Sequence, residues 1–88
     1  MKTFRVGKET NCKSLAGAIA EVVREKEELM INAIGANAVN QAVKAIAIAR
    51  RNLEPFALDL EIRPTFKTVS VSGEEKSTIA IWVSGVDL

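Results

Sequence analysis

Catalysis needs groups that can work in pairs, and this chain holds few of them. Cys12 is the only thiol. It stands beside Lys13 at an expected helix start, and both features favour thiolate. No histidine occurs anywhere, so a Cys–His nucleophile cannot form. A buried or idle thiol is the plainer reading. Glu74-Glu75 is an adjacent carboxylate pair on a turn rather than a cage for a metal. With no His and one Cys, a metal site is not expected. No G-x-G-x-x-G or Walker-type loop is present, so no nucleotide cofactor is expected either. Binding chemistry remains. Lys8 and Lys13 flank the start of a first helix, and Asn37 opens a second. Free backbone N–H groups at helix starts hold phosphate, with lysines adding charge. The bland alternative is that Asn11 and Asn37 cap their helices and the lysines are solvated.

The elements that must position these residues follow from periodicity. Phe4 to Val6 reads as a short strand, broken by Gly7-Lys8-Glu9-Thr10-Asn11. Thr10 or Asn11 can cap the helix that follows. Leu15, Ala18, Ile19, Val22 and Val23 recur at helical spacing, and this helix is expected to fray near Glu28. Leu29 to Ile34 is short, apolar and bounded by Gly35, as a central strand would be. The second helix is expected from Ala36 to Leu53, ended by Pro55. Its core stripe reads as Val39, Ala42, Val43, Ile46, Ala49 and Leu53. Small alanine flanks would let it lie close to a sheet or another helix.

Leu58, Leu60 and Ile62 alternate with Asp59, Glu61 and Arg63, a strand period. Pro64 suits an edge strand. Beyond Phe66 the apolar set shifts parity to Val69 and Val71, which predicts a bulge near Pro64–Lys67. Ser72 to Glu75 is a hairpin turn. Ile79, Ile81 and Val83 then alternate with Ala80, Trp82 and Ser84. The order β-α-β-α-β-β with right-handed crossovers predicts an α+β two-layer sandwich. A four-stranded mixed sheet carries both helices on one face. Trp82 points to the open face, where it can pack, cover a subunit contact or stack on a base.

Eighty-eight residues make one domain, with twelve Lys and Arg against eleven Asp and Glu. Near-neutral charge disfavours non-specific DNA coating, which rests on neutralised phosphates, and leaves a local basic patch open. One cysteine excludes an internal disulfide. No apolar run approaches the ~20 residues of a membrane span. The expectation is a cytoplasmic protein.

Several stretches resemble the stage V sporulation protein S family. They are Ser14-Leu15-Ala16-Gly17-Ala18-Ile19-Ala20, Ile34-Gly35-Ala36 and the run from Asn40 to Arg50, NQAVKAIAIAR. Pro64 to Phe66 and Gly73-Glu74-Glu75 also match, so the likeness spans nearly the whole chain. The resemblance implies a small cytoplasmic bacterial regulator linked to progression of sporulation, with relatives in bacteria that do not sporulate. The family resembles in turn the Alba-like nucleic-acid-binding proteins, which have the same element order and dimerise. Their two strand–helix loops and last hairpin contact nucleic acid. Carried over, these surfaces offer Lys8 and Lys13, then Asn37 (where Alba proteins have arginine) with Lys44 two turns on, then Lys76 beside Glu74 and Glu75. The architecture carries over better than the charges.

On the second helix Asn37, Asn40, Gln41, Lys44, Ile48 and Arg51 fall opposite the expected core stripe. Ile48 is out of place on a wet surface. A subunit interface through Asn40, Gln41 and Ile48, with Trp82 as a further contact, is preferred there to base reading, because the resembled fold dimerises and isologous contacts are common. Two functions are carried forward. One is a non-enzymatic regulator that binds DNA or RNA as a homodimer or higher homo-oligomer. The other is a protein-interaction adaptor that keeps the fold without binding nucleic acid.

Overall fold

The computed structural model describes all residues from Met1 to Leu88. Strand β1 (Lys2–Val6), helix α1 (Cys12–Arg24), strand β2 (Leu29–Ala33) and helix α2 (Ala36–Leu53) come first. A 3-10 turn at Glu54–Phe56 leads into strands β3 (Leu58–Val71) and β4 (Glu74–Asp87). The sheet order is β1-β2-β4-β3, with β1 and β2 parallel and the other pairs antiparallel. This is the expected α+β two-layer sandwich, with a mixed four-stranded sheet and two helices.

The core lies between helices and sheet. Leu29, Ile31 and Ala33 of β2 and Ile81 and Val83 of β4 are buried there with Leu15, Ile19, Val22 and Val23 of α1. Helix α1 stops at Arg24, four residues short of the expected fraying point. The cause is a Schellman-type close. Lys26 takes a left-handed φ of 61°. Its N–H donates to the Val23 carbonyl at 2.9 Å, and that of Glu27 donates to the Val22 carbonyl at 3.2 Å.

Helix α2 is rotated from its expected setting. Its buried residues are Ala38, Ala42, Ala45, Ile46, Ala49 and Leu53, while Val43 is 50% exposed and Val39 half-buried. Alanines let α2 approach both the sheet and α1, so the small face wins the interior. Ile48 consequently packs against the core rather than standing in solvent.

No bulge interrupts β3. Its pairing with β4 runs one-to-one from Leu58↔Asp87 to Val71↔Glu74. The parity change has another origin. β2 pairs with β4 only from Val83 back to Ile79. Lys67–Val71 and Glu74–Thr78 therefore extend past the body as a two-stranded arm of about 17 Å. On the arm Val69 and Val71 lie on the open sheet face, where they line a hollow with Asn32, Ile34 and Thr78, so the apolar set changes sides there. Ser72 and Gly73, with φ of 52° and 79°, make the tight turn that suits a twisted hairpin.

Candidate nucleic-acid interface

Because β1 and β2 are parallel neighbours, Val6 and Ala33 end at the same sheet edge. Ala33 pairs with Ile79, and the arm continues beyond that pair. The β1–α1 loop, the start of α2 and the hairpin arm therefore share one edge of the domain. Lys8, Lys13 and Asn37 stand exposed at this edge. Lys76 sits three residues up the arm from Ile79, about 10 Å away. Lys44 lies two turns down α2, also about 10 Å from the edge. Three of the five expected contacts thus stand at the edge, with Lys76 above it and Lys44 below it at similar distances.

The first loop is tied down from within. The Gly7 N–H donates to Thr10 Oγ1 at 2.8 Å, and the Ser14 N–H donates to Asn11 Oδ1 at 2.9 Å. Asn11 is the N-cap of α1. Gln41 Nε2 reaches across from α2 and donates to the Thr10 carbonyl at 2.9 Å. Cys12 Sγ donates to the Gln41 carbonyl at 3.5 Å. Cys12 is thus a half-buried contact between the helices.

The start of α2 is different. Gly35 is its N-cap, at φ 92° and ψ 157°, and no side chain caps it. This backbone region is open almost only to glycine. The first intrahelical bond is the Val39 N–H to the Gly35 carbonyl at 3.1 Å. Asn37 does not serve as a cap; it is the second residue of the helix. The amides of Ala36, Asn37 and Ala38 face an exposed edge without a side-chain acceptor.

The residues expected to form a subunit interface are dispersed. Gln41 is engaged with Thr10, Ile48 is half-buried, and Asn40 is exposed. Trp82 is on the opposite, open sheet face, with the Arg63 guanidinium carbon 5.1 Å from its ring centroid. The apolar surface left uncovered is elsewhere. Directly paired residues share a sheet face, so Ile62, Pro64 and Phe66, opposite Val83, Ile81 and Ile79, are on the helix side. No helix covers them. Phe66 is 82% exposed and forms a strip with Ile62 along the strand, and Val43 is 50% exposed on α2. A groove of about 370 Å³ separates Phe66 from Val39 at the start of α2. Sequence reading missed this surface because Val43 fits a core stripe equally well. It also passed over Arg5 and Lys67, although strand alternation alone sets Arg5 opposite to Phe4 and Val6.

Edge, arm and two-layer body define an Alba-like fold. Alba from Thermoplasma volcanium matches the fold with a TM-score of 0.64, covering 99% of this chain and 100% of that one at 18% identity. The particular family follows from sequence. The family model of stage V sporulation protein S (SpoVS) matches residues 2–85, and the chain belongs to that family. No helix is long and apolar enough to cross a membrane.

Proposed function

We propose that this chain is a non-enzymatic cytoplasmic regulator that binds DNA or RNA as a homodimer, in sporulation or a related developmental process. The observation that carries the reading is the shared edge. Two loops and an arm converge there, one helix start has unsatisfied amides, and Lys8, Lys13 and Lys76 surround it. Phosphate binds such a start through backbone N–H groups and the positive end of the helix dipole. The arm would follow a groove while Lys44 reaches the flanking backbone.

Affinity is then mostly electrostatic. Fluorescence anisotropy with labelled duplex DNA, single-stranded DNA and structured RNA, across a salt series, is expected to show binding that weakens steeply with salt. The double substitution Lys13→Glu, Lys44→Glu is expected to abolish duplex binding. Unchanged affinity in that variant would remove the site.

The dimer contact assigned here is the apolar surface of Val43, Ile62 and Phe66, which a second copy covers with the same patch. Phe66→Asp is expected to give monomer in sedimentation equilibrium with little effect on folding, because Phe66 is so exposed. The same surface supports the second reading, a protein adaptor. It gains ground if Phe66→Asp leaves the oligomer intact and no nucleic acid binds at low salt.

A further inference from the structure

The open face of the sheet carries its own chemistry, on the side away from the helices. Paired residues form rows across this face. One row is Thr3, Met30, Trp82 and Arg63, and the next is Arg5, Asn32, Ala80 and Thr65. Successive rows lie about 6.8 Å apart. Lys67 and Lys76 continue the same face up the arm. Arg5, Arg63, Lys67 and Lys76 thus share one surface, and Glu61 and Glu74 bound it below and at the arm's tip. None of the four cations is in an ion pair; the molecule's ion pair is elsewhere, between Arg50 and Asp59.

Two observations point to a ligand with flat rings and a negative backbone. Trp82 is half-buried in the middle of the face, and Arg63 already lies over its ring. Asn32 Oδ1 is a buried side-chain acceptor with no partner. Buried polar atoms are otherwise satisfied, so an orphan calls for a donor. Asn32 and Arg5 line a hollow of about 380 Å³ with Ile34, Val69 and Val71. The two valines that shift parity on the arm form its wall.

We propose that the open sheet face is a platform for single-stranded nucleic acid. One unpaired base stacks on Trp82, displacing or sandwiching Arg63. The next enters the hollow, where a base amine donates to Asn32 Oδ1 and Arg5 meets an acceptor. Lys67 and Lys76 take the phosphates that run up the arm. Aromatic stacking with a cationic track is how single strands are held without sequence preference. Unstacked bases also offer the edges that a duplex hides. The inference adds a second surface to the nucleic-acid reading and shares only Lys76 with the first.

Trp82 is the only tryptophan, so its emission reports on this face alone. The full chain is titrated with oligocytidylate, oligodeoxycytidylate and a blunt duplex. Saturable quenching by either single strand supports the platform, and the stronger of the two identifies the preferred sugar. Arg63→Glu with Lys67→Glu, both exposed, is expected to weaken single-strand binding at least about tenfold, leaving the melting temperature and duplex affinity unchanged. Trp82→Leu is expected to cost about fivefold to a hundredfold. Single strands that bind without altering Trp82 emission overturn the proposal, as does wild-type affinity in the Arg63–Lys67 variant. Emission that responds to dilution of the protein and not to oligonucleotide also overturns it, by assigning Trp82 to a contact between copies. Duplex binding lost in the Lys13–Lys44 variant is a separate outcome, so the two surfaces fail independently.

Discussion

The two helices begin at the same edge in opposite ways. Helix α1 starts closed: Asn11 caps it, Thr10 folds the loop back on Gly7, and Gln41 pins the loop to α2. Helix α2 starts open, on a glycine with no side-chain cap. A cap is worth about 1 kcal/mol of stability, and omitting it leaves amides available to something else. The closed start fixes the geometry of the edge. The open start is where the proposed phosphate contact falls.

The largest expected effect comes from forcing a side chain onto the open start. Gly35→Ala leaves the Cβ in empty space but places it at φ 92°. The loss is backbone strain alone, about 1–3 kcal/mol in urea unfolding. A smaller loss would mean that the turn relaxes, and the start of α2 would not be held open by its glycine.

A pair of substitutions then separates the two starts. Asn11→Ala is expected to cost about 1 kcal/mol of stability and to leave nucleic-acid affinity within about twofold. Asn37→Asp does the reverse. A carboxylate in the first turn favours the helix by about 0.3–1 kcal/mol, yet it competes with phosphate for the same amides. Stability should rise slightly while affinity falls several-fold in the anisotropy titration. If Asn37→Asp leaves affinity intact, phosphate does not sit at α2.

The same contrast shows what the residue order could disclose. Strand alternation put Trp82 opposite Ile81, and the parallel β1–β2 pair put both helix starts at one edge. Those inferences need only a period and a topology. The buried face of α2 needed more. Val39, Ala42, Val43 and Ile46 form one helical stripe and Ala38, Ala42, Ala45 and Ala49 another, and only close approach to α1 and the sheet selects the alanines. The shift to Val69 and Val71 was misleading for a related reason. Parity is a reliable guide to register where one face is buried, and the arm buries neither fully. Asn37 has the residue type of a cap, but a helix that begins at Ala36 already sets it one residue inside the first turn, and Gly35 holds the cap.

The far half of α2 completes the comparison, because there the helix is fastened rather than left free. Arg50 Nε and Nη2 donate to the two carboxylate oxygens of Asp59 at 2.7 and 2.9 Å. The Leu60 N–H donates to Asp59 Oδ1 at 2.8 Å. The Arg50 hydrogen bonds, then that of Leu60, lower the Asp59 pKa to about 2. A carboxyl group lowered in the folded state adds stability above its unfolded pKa of about 3.9. That contribution declines as pH falls from there and is gone below about 2. Asp59→Asn should therefore lower the urea midpoint slightly and by a constant amount from neutral pH down to about 4. The gap should close as pH approaches 2, and high salt should narrow it at every pH, because the pair is at the surface. The effect is the smallest of the series. A gap that persisted at pH 2 would show that Asp59 holds α2 to β3 through packing, and the fastening would not be electrostatic.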